Sequence, residues 1–196
     1  MTSEYDVKSF LTLIIALGVC LLAGYIGGYP VLSRTPLGLP IDLPIGDYLG
    51  GYPGLLAGGE PPVQVWYASL IHPVFSLPLW VFSLAWIFSF LLMGLTLFFI
   101  LQSGIKQREV TFGLILFCFQ LFFMFFWAYT FFGIHAVFPA VLCIIALWAT
   151  LLCAVIQVSG FSVHGGMLLV PYFLWVCYLA YLSCGVMVLN HAVFVI

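Results

Sequence analysis

The stretch that decides the fold is residues 65–94, VWYASLIHPVFSLPLWVFSLAWIFSFLLMG. From Leu79 to Leu101 the chain carries no charge, and ~23 residues at ~1.5 Å rise are long enough to cross a ~30 Å hydrocarbon layer. Pro78 falls at the first helical turn, where a missing N–H is tolerated, and Pro73 stiffens the approach. Trp66, Trp80 and Trp86 lie on the approach and the first turns, where an amphipathic ring can sit at headgroup level. The segment reads as a membrane-spanning helix with an ordered lead-in.

Composition extends that reading to the whole chain. The 196 residues are 65% hydrophobic, 18% aromatic and 5% charged, whereas a soluble domain carries about 25% charged residues. This is the profile of a polytopic membrane protein. A net charge of −2 without a basic stripe excludes nucleic acid as a partner. The start, MTSEYDVKSF, mixes Glu4, Asp6 and Lys8. It fits neither a cleaved secretory signal nor an Arg-rich transit peptide, so the first span is expected to be retained. Six cysteines fall inside the expected spans and none forms a C-x-x-C pair. Neither disulfides nor a metal site is expected of them.

Five spans can be placed, at about 10–27, 79–101, 111–132, 135–158 and 167–190. In the first, Ala16, Cys20, Gly24 and Gly28 recur every four residues as a small-residue packing face, and Gly27-Gly28 offers a stop. Residues 29–64 hold seven of the eleven prolines and a near-copy, GGYPVL at 27–32 and GGYPGL at 50–55. Proline at that density excludes a regular helix, yet the segment is too apolar for a disordered one, so an ordered flap is expected on the membrane or on a partner. Gly133 closes the third span, whose eight phenylalanines within 117–132 encircle the helix. Ala146, Thr150 and Ala154 form a small-residue stripe on the fourth, and Pro171 is expected in the first turn of the fifth. The fold class is therefore an all-α membrane protein: one domain, 1–196, a five-transmembrane-helix bundle with a long Pro/Gly-rich loop between helices 1 and 2. Its termini lie on opposite sides. Lys8, Lys106 and Arg108 share one side against Arg34 on the other, which favours the N-terminal side as the positive one.

The order of residues in the opening stretch adds a resemblance. Trp66-Tyr67-x-x-Leu70, Pro73, Pro78, Trp80-Val81-Phe82, Trp86, Phe90 and Met93-Gly94 resemble the signature of the translocator protein family, the tryptophan-rich sensory proteins (TspO/MBR). Gln120-Leu121, Trp127 and Phe131-Phe132-Gly133 are similar to its third helix. Leu168-Leu169-Val170-Pro171-Tyr172-x-x-Trp175, followed by Asn190-His191, is similar to its fifth. The resemblance covers about 66–191. It implies a pocket for porphyrins, sterols and synthetic ligands, enclosed by helices 1, 2 and 5 and the first loop. By the same carry-over Trp80 and Trp175 line the pocket, and Trp66, Tyr67 and Trp127 are further ligand-binding candidates. Flat aromatic walls suit a flat macrocycle. The family's first loop is usually much shorter than 29–64. Met124, Phe125 and Ser183 replace an asparagine, an aromatic and a second asparagine of the family pattern, and Val188 stands where the sterol-recognition pattern of animal members needs a cation.

The residues also limit the chemistry. The spans hold no carboxylate or lysine, so acid–base and covalent hydrolytic catalysis lack their ionisable parts, and no catalytic residue or required cofactor is expected. His72, His135, His164 and His191 fall at or beyond helix ends and read as structural or interfacial rather than as haem ligands. Gln120 and Gln157, inside spans, are expected to hydrogen-bond between helices. After Glu109 no Asp, Glu, Lys or Arg occurs through Ile196. Membrane proteins normally place charges just beyond their spans. The expectation is a non-catalytic accessory subunit of a respiratory or photosynthetic complex. Its partners would be membrane lipids and other subunits covering the uncharged 110–196 half, in the inner mitochondrial membrane if the complex is respiratory. The alternative is a free-standing receptor holding a lipid, sterol or tetrapyrrole, in the outer mitochondrial membrane by family precedent. A third reading is an enzyme that degrades tetrapyrroles.

Overall fold

The computed structural model describes residues 2–32, 66, 67, 69–77, 79–104 and 106–190, with the side chains of 7–25 on the first helix. The side chains of Leu79, Trp80 and Ser83 lie outside the description. So do the flap expected over most of 29–64, Gly28 as a packing residue, Pro78, and the tail from His191.

All regular structure among the described residues is helical: α1 (Thr2–Leu32), α2 (Leu79–Gln102), α3 (Arg108–Ala128) running into a π-turn (Tyr129–Gly133), α4 (Val137–Phe161) and α5 (Val163–Leu189). Five of these helices are long and apolar enough to cross a membrane. The chain is an integral membrane protein built as a five-helix bundle. Once the backbone is in hydrocarbon its N–H and C=O groups have no water to turn to, and only intra-segment helical bonds satisfy them.

That constraint explains where the sequence-derived boundaries shift. Helix α1 continues through Gly27-Gly28 to Leu32, because a glycine costs only about 1 kcal/mol in a helix and an unpaired amide in lipid costs more. Helix α5 starts at Val163, not 167, with the Ser162 hydroxyl accepting from the Gly165 N–H at 3.3 Å. The turn expected at 160–166 is thereby confined to Ser162, and Pro171 stands inside the helix rather than in its first turn. Helix α3 likewise begins at Arg108, three residues before the expected start.

Around the bundle α2 lies between α1 and α5, and α4 between α5 and α3; a thinner contact between α1 and α3 closes the ring. Helix α4 buries Ala140, Ile144, Leu147, Leu151, Ala154 and Val158, a seam repeating every three to four residues. Of the expected α4 stripe only Ala154 is buried; Ala146 and Thr150 are half exposed. Trp148 ties α4 to α5 by donating its indole N–H to Cys177 Sγ at 3.3 Å, and Gln157 donates to the Glu109 carbonyl at 3.2 Å. Gln157 thus makes the interhelical bond expected of it.

Helix α1 is the least buried, and its expected face is the one that packs: Ala16, Cys20 and Gly24 are its buried residues within 7–25. A Cβ on Gly24 would meet the Phe90 ring at 2.6 Å, and one on Gly94 would meet Leu17 Cδ2 at 2.9 Å and its Cα at 3.0 Å. Each helix therefore contributes a glycine to the other. The Trp86 indole N–H donates to the Gly24 carbonyl at 3.1 Å, which makes Trp86 a buried helix–helix pin rather than a headgroup anchor.

The lead-in 69–77 is fixed to α5 at three points. The Asn190 side chain, 3% exposed, accepts from the Ile71 N–H and donates to the Ile71 carbonyl, both at 2.9 Å, with a second donation to Val186 O. The Leu77 N–H donates to the Tyr178 hydroxyl at 2.9 Å. Pro73 packs on Gly185, where a Cβ would lie 3.0 Å from the proline ring.

Gly94→Leu drives a side chain into the Leu17 backbone and is expected to destabilise the bundle by ~1–3 kcal/mol, read as a lowered thermal midpoint by circular dichroism in detergent. Gly18→Ala, with open space around it, leaves the midpoint unchanged. Asn190→Ala removes both bonds to Ile71 and is expected to raise hydrogen exchange at 69–77 by about tenfold, with α4 unaffected.

Candidate functional site

The aromatic residues singled out by sequence meet at the end of the bundle where the lead-in docks. The Trp66 ring stacks on His135 at 4.2 Å and meets Phe131 edge-on at 5.6 Å. Trp127 stacks on Phe131 at 5.6 Å and meets Phe132 at 87°; its indole N–H donates to Ser183 Oγ at 3.1 Å. Tyr67 lies against His72 at 4.4 Å, Phe82 at 6.1 Å and Phe132 at 6.4 Å. Phe82 in turn meets Trp175 edge-on at 5.5 Å, and Trp175 stacks on Tyr178 at 5.2 Å. Four of the five candidate residues, Trp66, Tyr67, Trp127 and Trp175, thus belong to one continuous set of rings. The Trp80 side chain lies outside the description.

The π-turn makes that set possible. It carries the Ile134 N–H to the Tyr129 carbonyl at 3.0 Å, and the next bond joins the Ala136 N–H to Thr130 O at 2.8 Å. Phe131 and Phe132 both end up buried, 4.9 Å apart at 74°. His135 follows with φ 56°, in the left-handed region that a non-glycine residue adopts only under constraint, and the ring stacked on it is Trp66. His164 is likewise held by a ring, Phe99, at 5.7 Å.

Of these rings Tyr67 and Trp127 are packed in the interior, 5% and 1% exposed. Burial, reinforced by the nearby Tyr178 hydroxyl, pushes the Tyr67 phenol well above its ordinary range. It is neutral at any physiological pH. Trp175 is different: it is half-buried and opens onto a groove of about 400 Å³ between α2 and α5. The groove is lined by Ala85, Phe88 and Ser89 on α2, by Pro171, Tyr172, Leu174, Trp175 and Tyr178 on α5, and by Leu77 at its upper end. Ser89 donates to the Ala85 carbonyl at 2.6 Å, and Tyr178 accepts from Leu77. The Tyr172 hydroxyl is sealed in the interior and has no hydrogen-bond partner among the described residues. Sequence reasoning quoted Tyr172 only as part of the fifth-helix motif and passed over Tyr178, although Tyr172, Trp175 and Tyr178 recur every third residue along α5.

Gln120 is fully buried and neither atom of its amide finds a partner among the described residues, contrary to the interhelical bond expected of it. Its α3 face carries Phe117, Met124 and Trp127, none of which can accept or donate to it through oxygen.

The groove can hold a flat apolar body against Trp175. Its lining has no carboxylate, amine or imidazole, and among the described residues no group of three His, Cys, Asp or Glu could hold a metal.

Comparison with known proteins agrees with this architecture. A protein named tryptophan-rich protein TspO from Chlorobaculum tepidum is 28% identical over 183 residues, 93% of this chain and 98% of its own length. One of the same name from Archaeoglobus fulgidus is 29% identical over 131 residues, 65% of this chain and 82% of its own. The tryptophan-rich sensory protein of Cereibacter sphaeroides is 28% identical over 110 residues, 56% and 67% respectively. The family profile described as TspO/MBR matches residues 46–189, and the chain belongs to the TspO/MBR family.

Proposed function

We propose that this chain is a non-catalytic membrane receptor that holds a flat lipophilic ligand against Trp175 in the groove between α2 and α5. The carrying observation is the half-buried Trp175 ring on a groove of about 400 Å³, within the roughly 300–1,000 Å³ of small-molecule sites. Tyr178 stacks behind Trp175 and Phe82 abuts it edge-on, so the wall is rigid before a ligand arrives. Preformed aromatic walls lower the ordering cost of binding. Trp66, Tyr67 and Trp127 then act as the packed backing of that wall rather than as ligand contacts. The names of the relatives, sensory and tryptophan-rich, fit a binding role. Tetrapyrrole degradation finds no carboxylate, amine or imidazole in the groove lining to assist it.

Protoporphyrin IX, flat and lipophilic, serves as the probe. Titration of the detergent-solubilised chain is expected to quench tryptophan emission saturably, with Trp175→Phe raising the apparent Kd by about three- to tenfold. A curve identical in the two proteins would remove the ligand from this groove.

A second reading, the accessory subunit, is favoured by one observation of its own. The turn after α3 exposes Ile134 and the start of α5 exposes Val163, where water or headgroups would lie, and no charge occurs from 110 to 196. Partner subunits would cover such surfaces, in a respiratory or photosynthetic membrane and, for a eukaryotic respiratory complex, in the mitochondrion. Mild-detergent purification with mass analysis separates the two. The receptor gives a monomer or dimer, and stoichiometric co-migration with a large assembly would replace it by the subunit.

A further inference from the structure

Between the points that fix the lead-in to α5 the chain turns outward. The Ser76 N–H donates to the Pro73 carbonyl at 3.1 Å, which makes Pro73–Ser76 a β-turn with Val74 and Phe75 at its two central positions. Glycine, asparagine, aspartate and serine dominate turns that face water. Here the two central side chains are apolar and almost bare, Val74 90% and Phe75 76% exposed. Asn190 holds Ile71 on one flank and Tyr178 holds Leu77 on the other, so the direction of the tip is fixed by the fold. No charged residue occurs from Pro61 to Ile105, and no ionised side chain keeps the segment in water.

The turn also continues an apolar surface. Pro73 and Val74 share a groove of about 620 Å³ with Tyr181, Cys184, Val188 and Leu189 on the last turns of α5, a helix long and apolar enough to cross a membrane. Helix α2, which has the same property, begins at Leu79, just after the turn. The tip therefore stands where a span enters the lipid. The N–H groups of Leu70, Ile71, Ser76 and Leu77 have acceptors within the protein and Pro73 has none to satisfy, so contact with lipid strips little hydration from the backbone. A rigid, uncharged, exposed apolar tip continuous with a membrane-crossing face fits a lipid surface. We propose that the Pro73–Ser76 turn is a lipid anchor: Val74 and Phe75 insert among the phospholipid acyl chains of the adjoining leaflet, and one acyl chain lies in the groove between Val74 and α5. The lead-in is thereby held on two sides, by Asn190 and Tyr178 within the protein and by the bilayer outside it. This anchor is independent of what the α2–α5 groove binds.

The test places the photocrosslinker p-benzoylphenylalanine at Val74 in the full chain, reconstituted in phosphatidylcholine vesicles, with mass analysis of the adducts after illumination. Phe122, exposed on α3, and Lys106, exposed between α2 and α3, carry the same crosslinker as references for lipid and for water. Phospholipid adducts are expected at Val74 with a yield comparable to that at Phe122 and severalfold above that at Lys106. A lipid yield no higher than at Lys106, or crosslinks to residues 29–64 or to a second chain in place of lipid, overturns the inference. Should the Val74 variant lose the wild-type circular dichroism spectrum, the crosslinker at Phe75 supplies the same reading against the same references.

Discussion

A backbone amide in hydrocarbon has nowhere to find a partner except its own helix, and this obligation shapes the chain more than any side chain does. It carries α1 past two glycines, starts α5 four residues early, and keeps a proline inside a helix. In water each of these positions would be a reasonable place to stop. Here the alternatives to continuing are worse by more than the local propensity term. The same obligation falls on side chains, which is why the few polar atoms in the spans are nearly all spoken for: Trp86 at Gly24, Trp127 at Ser183, Gln157 at Glu109. Among the described residues the Gln120 amide and the Tyr172 hydroxyl are the exceptions within the spans.

Holding the helices together is a separate matter, since lipid is as apolar as leucine and gives no hydrophobic drive to association. The α1–α2 contact solves it by close approach, with Gly24 receiving Phe90 and Gly94 receiving Leu17. The other end of α2 is stabilised by the rings that run from Trp66 through Tyr67 and Phe82 to Tyr178. Edge-to-face pairs of this kind contribute ~0.5–1.5 kcal/mol each beyond their buried area. The rings fill the interior that the lead-in covers, and the open space lies to the side, in the groove between α2 and α5.

Much of the architecture was legible because it depends on runs and repeats. Five apolar runs gave five helices, and the Ala16-Cys20-Gly24 spacing gave the packing face of α1. Helix ends were less legible, since signals tuned to water, Gly27-Gly28 and the glycines around His164, lose their force in lipid. Trp86 could be seen as a headgroup anchor from its position alone; that its N–H meets the Gly24 carbonyl depends on which helix stands opposite. The site was half legible. Trp175 and the every-third-residue row of Tyr172 and Tyr178 are written in α5, but a groove there requires small residues across from them, and Ala85 and Ser89 supply these only once α2 and α5 are neighbours. Gln120 was expected to be paired, and it is not: whether a polar atom stands opposite it depends on the facing helices, which its own segment does not encode.

The widened turn at Tyr129–Gly133 has one further bearing. An α-helix advances each side chain by about 100°, so a turn that takes in an extra residue rotates everything after it by about that angle. Phe132, His135 and the start of α4 all inherit this offset, and with it the stacking of Trp66 and the facing of α4's seam toward α3 and α5. Chain length between Trp127 and Val137 is consequently a stricter requirement than residue type. A relative with one residue fewer there would need a differently composed set of rings, and an alignment gap at that place would mark a change of interior rather than a harmless trimmed loop.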